Sequence, residues 1–121
     1  MCIRDRTTTQ LHIEAMKLSQ RAFVMAHNDN KNKAVKLYRA AYDLEKQVVM
    51  RLVTEYSKEP TRSITFKSTA LLAKKGELYR EAEKMACLGL AGEPSREIAR
   101  ELRFILESVK QFLQKEEFLF A

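Results

Sequence analysis

Chemistry needs side chains that donate, accept or attack, and this chain of 121 residues offers two histidines, two cysteines and sixteen carboxylates for it. His12 and His27 stand well apart, and neither has a Cys, Asp or Glu at metal-ligand spacing. Glu14 follows His12 too closely to share its helix face. Both histidines are expected at the surface or at a helix end, where His27 would suit the negative end of the helix dipole. The run Asn28-Asp29-Asn30-Lys31-Asn32 invites comparison with a calcium loop. Its glycine position would hold Lys33 and its bidentate position Arg39, so the run reads as a turn. Cys87 lies among Met85, Ala86 and Leu88, with only Lys84 as a basic neighbour at helical spacing, and reads as a small buried apolar residue. Cys87 and Cys2 are too few for a disulfide framework, which points to a reducing, cytoplasmic compartment.

The remaining patterns argue against catalysis. Gly76, Gly89 and Gly92 are the only glycines and form no phosphate-cradling loop. Glu77, Glu81, Glu83, Glu97 and Glu101 each lie near Arg80, Lys84, Arg96, Arg100 or Arg103. Pairs such as Glu97–Arg100 and Arg103–Glu107 read as solvated ion pairs worth a few tenths of a kcal/mol. No catalytic residue, cofactor site or metal site is expected, and the chain reads as a non-enzyme. Its net charge is +6, spread along the sequence rather than gathered. Lys31, Lys33, Lys36 and Arg39 form the one basic run, with Asp43 diluting the face that Lys36, Arg39 and Lys46 share. That face supports one function class, a small basic domain binding nucleic acid or an acidic partner.

What must position these residues is helical. Three glycines, two prolines and no alternating β-branched runs leave an all-α chain with enough residues for one modest core. A first helix is expected from Thr9 to His27, with Leu11, Ala15, Leu18, Ala22 and Met25 on its apolar face. A long second helix starts near Lys31; if unbroken to Tyr56 it carries two apolar faces and sits between neighbours. Pro60 stops it, because the residue before a proline avoids helix. A third helix spans about Thr61–Lys75 and closes at Gly76. A fourth spans about Glu77–Leu90. A fifth follows, with Pro94 in its first turn and Ile98, Leu102, Ile105, Val109 and Phe112 along one stripe. Short connections make consecutive helices antiparallel neighbours. No apolar run of membrane-spanning length and no signal-peptide core is present. The opening Met1-Cys2-Ile3-Arg4-Asp5-Arg6 resembles sequencing-adapter read-through of the kind found in metagenomic gene calls. Phe118, Leu119 and Phe120 suggest a natural protein that continues past Ala121, leaving residues 7–121 as one domain.

The spacing of Ala34, Tyr38 and Ala41 resembles the second helix of a tetratricopeptide repeat. So does the order Gly76, Ala82, Ala86, Gly89, Pro94, which sets small residues where paired helices cross. The resemblance implies two helix pairs and a capping fifth helix, although Ala34 and Ala82 lie further apart than one repeat. The first pair is also similar to a microtubule-interacting-and-transport domain, and a five-helix bundle without repeat ancestry is the alternative. A tetratricopeptide array implies a protein–protein interaction or scaffold module, with the first helix of each pair lining a groove for a partner segment. Here that groove would show Met16, Ser19 and Phe23, then Ser63, Phe66 and Ala70, then Ile98, Glu101 and Ile105. Ser19, Phe23 and Lys67 stand where the chaperone-binding branch carries its carboxylate clamp, so that clamp is not implied. The expected partner is a protein or peptide, and self-association would follow from an uncapped end face.

Overall fold

Thr7 opens the first helix with a capping box. Its hydroxyl accepts from the Gln10 amide at 3.1 Å, and the Gln10 side chain accepts from the Thr7 amide at 2.9 Å. In the computed structural model, which describes the backbone of residues 7–120 and the side chains of 7–116, five helices follow: α1 (Thr8–His27), α2 (Lys31–Met50), α3 (Thr61–Lys75), α4 (Tyr79–Leu90) and α5 (Arg96–Phe120). The described residues are all-α, as the sequence led us to expect. No helix among them is long and apolar enough to cross a membrane. The opening hexapeptide and the apolar side chains of Phe118–Ala121 lie outside the described residues.

Three boundaries differ from the sequence reading, each for a local reason. α2 ends at Met50, not Tyr56, because the amides of Arg51 and Leu52 turn to the carbonyls three residues back and tighten the chain. The Val53 carbonyl then serves Arg62 rather than a helix. α4 begins at Tyr79, since Glu77 has a left-handed φ of 60°. The Glu77 amide bonds the Lys74 carbonyl and the Leu78 amide bonds the Ala73 carbonyl, which is the Schellman closure of α3. Glycine thus stands one residue before the left-handed position. At Gly76 it answers a different need, for a Cβ there would lie 3.0 Å from Arg39 Cγ. α5 starts at Arg96, with Ser95 Oγ accepting from the Ile98 amide at 3.2 Å and Pro94 left outside the first turn.

Each helix packs on the next, and α5 also packs back on α3. The cross-contacts give the directions. His12 meets Glu45 and Thr8 meets Arg51, so α1 and α2 are antiparallel. Tyr79 stacks on Phe112 while Gly89 meets Leu102, so α4 and α5 are antiparallel too. Lys67 reaches Glu101, and Leu71 and Ile105, each four residues on, line the same cleft, so α3 and α5 run side by side in the same direction. The core runs through the array from Ala22, Ala41 and Tyr42 to Phe66, Ala70, Ala82, Met85, Leu102 and Val109. Small residues set its thickness. A Cβ at Gly89 would lie 2.9 Å from Phe66 Cβ and 3.1 Å from Leu102 Cδ1, so three helices converge on that one missing side chain.

Two substitutions follow from this geometry. Glu77→Gly should raise unfolding stability by about 1 kcal/mol, because it relieves a left-handed residue that carries a side chain. Gly89→Ala gains about 1 kcal/mol of helix propensity. It should still lose about 1–2 kcal/mol net, because Phe66 Cβ is tied to its backbone and cannot yield. Urea unfolding of the two variants beside the parent checks both signs.

Candidate functional site

α3 is the helix that carries most of the candidate chemistry. It holds Arg62, Lys67, Lys74 and Lys75 and no acidic residue. Its inward face buries Arg62, Ser63, Phe66, Thr69, Ala70, Leu72 and Ala73. Phe66 is wholly buried and Ile105 nearly so, and Ser63 and Ala70 are buried with them. These four expected groove residues therefore belong to the core, because α3 is covered by α2, α4 and α5 together. The groove that the tetratricopeptide resemblance implied on α3 is instead the buried face of a helix packed on several sides.

The groove residues that stay accessible fall into two places. Phe23 is 55% exposed on α1, where it lies against the His27 ring with centroids 4.1 Å apart, and Met16 and Ser19 are partly buried on the same helix. Glu101 lies on α5, where a cleft of about 380 Å³ opens between α3 and α5. Lys67 and Leu71 form one wall; Arg100, Glu101, Phe104 and Ile105 form the other. Ile98 is partly buried at the start of α5 and does not line it. Lys67 Nζ donates to Glu101 Oε2 at 2.8 Å across the cleft. Phe104 is 71% exposed, and sequence reasoning missed it. Its signal was available: it sits between the stripe positions Leu102 and Ile105, off the apolar face that α5 buries. A large apolar side chain outside its helix's buried stripe is a candidate for contact with something else. A depression of similar volume on α1, lined by Lys17, Gln20, Arg21, Val24 and Met25, belongs to one helix alone and has no second wall.

The basic run lies on the outer side of α2. Lys31, Lys33 and Lys36 are exposed and make no ion pair among the described residues, whereas Arg39 Nε donates to the Gly76 carbonyl at 2.7 Å and so helps hold the α3–α4 turn. Lys46 bonds Glu81 Oε1 at 3.0 Å, and the Tyr42 hydroxyl donates to the same oxygen at 2.6 Å. The Tyr42 hydrogen bond and then that of Lys46 hold the Glu81 carboxyl below its ordinary range, against the effect of burial. Burial, followed by the bond to Glu81, pushes the Tyr42 hydroxyl well up. Cys87 is exposed, not buried, because it falls on the side of α4 opposite Met85 and Ala86. Glu107 pairs with Lys110 at 3.4 Å rather than with Arg103.

His12 is more than a surface residue. Its Nδ1 lies 2.8 and 3.1 Å from the two oxygens of Glu45, a carboxylate with no exposed surface in the α1–α2 interface. Burial pushes the Glu45 carboxyl up, and the His12 charge and hydrogen bond pull it partly back. Nothing in the spacing of one histidine and one glutamate on separate helices could have announced this contact. Among the described residues, no group of three His, Cys, Asp or Glu side chains is gathered to hold a metal ion. Comparison of the chain with protein-family models, with curated proteins and with solved structures returns no match.

The buried carboxylate generates a pH-dependent expectation. A carboxyl whose value is raised by folding stabilises most below its ordinary value of 4.5, and that contribution is lost as pH rises through the raised value. Glu45→Gln cannot ionise and still accepts a bond from His12. It should therefore be about 1 kcal/mol more stable than the parent at pH 7, with the gap closing below pH 4.5. His12→Ala should cost about 1–3 kcal/mol at neutral pH, since the buried carboxylate loses its partner. Urea unfolding at pH 7 and in acid measures both.

Proposed function

We propose that this chain is a tetratricopeptide-like helical array acting as a non-catalytic protein–protein interaction module. It holds an apolar segment of a partner protein in the cleft between α3 and α5. The observation that carries the reading is Phe104, 71% exposed, lining a cleft together with the apolar Leu71 and Ile105. An exposed aromatic beside an apolar concavity fits an interaction anchor, a large side chain that binding desolvates while weaker contacts around it exclude water. The helix order supports the repeat reading: consecutive antiparallel neighbours, with α5 lying beside α3 and small residues at the crossings. A cytoplasmic setting accords with the scarcity of cysteine.

The test is a selection of displayed random peptides against the full chain. Enrichment of peptides with apolar anchors is expected, lost by at least about tenfold on Phe104→Asp and kept on Lys33→Glu. Enrichment that ignores Phe104, or that collapses with added salt and follows Lys33, would instead favour the basic face of α2.

A further inference from the structure

We infer that the occupant of the α3–α5 cleft is an amphipathic helix carrying acidic residues beside its apolar anchors. The inference rests on the interaction-module reading and adds the chemistry of the partner.

The charges around the cleft carry it. Lys67 and Glu101 are already committed to each other at 2.8 Å. Arg100, on the same wall, is exposed and makes no hydrogen bond or ion pair with the described residues. The cleft therefore has an apolar floor, one unspent guanidinium and no unspent carboxylate. The α3 wall continues the pattern. No acid occurs anywhere between residues 61 and 75, and Lys74 stands one turn beyond Leu71. Ile64, 41% exposed, lies two turns before Leu71 at the same angular position on α3. Ile64 and Leu71 together thus give the wall an apolar line along the helix axis, flanked by lysines.

The shape selects among acidic ligands. Two parallel helices make an elongated trough, and side chains repeating at three- and four-residue spacing are what fills one. A small anion would find Arg100 alone, without buried donors to enclose it. A nucleic-acid strand would find Phe104 but no array of free cations along the trough. A helix with Leu or Phe anchors on one edge and Glu on the next satisfies both the floor and the rim. Charges so placed steer association and reject basic competitors rather than supply most of the affinity.

Three synthetic peptides of roughly 18 residues, about five turns, serve as probes. One has a Leu/Phe stripe with Glu elsewhere, one the same stripe with Lys elsewhere, and one the first composition scrambled. Amide shift perturbation of the isotope-labelled full chain locates each, and fluorescence anisotropy gives the affinities. The acidic amphipathic peptide should perturb Lys67, Leu71, Arg100 and Phe104 and bind about tenfold tighter than the other two. Phe104→Ala should weaken it by about tenfold, and Arg100→Glu should invert the preference toward the basic peptide. Both side chains are exposed, so circular dichroism should be unchanged in the two variants. Equal binding of the basic peptide in the cleft would overturn the acidic inference and leave the interaction module standing. Equal binding of the scrambled peptide, or acidic binding at Lys31–Arg39 instead, would overturn it as well. Absence of any perturbation on α3 and α5 with all three peptides would overturn both.

Discussion

The array depends on a guanidinium with no exposed surface. Arg62, in the first turn of α3, donates Nε and Nη2 to the Val53 carbonyl at 3.2 and 3.0 Å, and Nη2 also to the Leu88 carbonyl at 3.1 Å. Its central carbon lies over the Tyr56 and Phe66 rings, 4.6 and 4.8 Å from their centroids. Nη1 is buried without a hydrogen-bond partner among the described residues, and Glu59 stands close by. Its carboxylate accepts from the Ser63 hydroxyl, the Ser63 amide and, across to the α4–α5 connection, the Glu93 amide. Burial would raise the Glu59 carboxyl, but these bonds and the nearby Arg62 outweigh burial and hold it below its ordinary range. A Cβ at Gly92 would collide with Arg62 Nη1, so the α4–α5 connection passes directly over the guanidinium. A lysine has neither the fork nor the flat face that this position uses.

One side chain therefore sets three things at once. It takes the Val53 carbonyl, so the chain leaves α2 at the level that lets α3 pack alongside. It takes the Leu88 carbonyl, which fixes the last turn of α4. Through Glu59 and Gly92 it holds the entry to α5. The relative placement of α3 and α5, which makes the cleft, is a consequence. Lys67–Glu101 then bridges the two helices one turn further along, and Phe104 is left pointing outward.

Much of this was legible in the chain and some was not. Helix number, order and connections follow from apolar spacing and turn chemistry, because each is set within a few residues. The Asn28–Asn30 turn falls where its residue types say it should, whereas the Ser95 cap moved the start of α5 past Pro94. Buried charge was illegible. Arg62 and Glu45 look in sequence like members of ordinary polar faces, and only the partner helix reveals that Val53, Leu88 and His12 await them. The same blindness placed Cys87 in the core, and a family resemblance placed Phe66 in a groove. Periodicity gives the apolar face of a helix but not how many neighbours cover it. It also undersold Phe104, whose meaning lies in being outside the stripe.

A buried polar knot at the start of α3 ties that helix to the chain on either side of it, and the α3–α5 cleft inherits that fixed placement. The most direct test of this dependence is urea unfolding of Arg62→Met, with amide hydrogen exchange read at Ser63 and Glu93. Methionine keeps much of the volume and removes the guanidinium. The expected result is a loss of about 3 kcal/mol or more, with faster exchange at both amides. Stability within about 0.5 kcal/mol of the parent and unchanged exchange would contradict it, and would mean that apolar packing alone aligns α3 with α5.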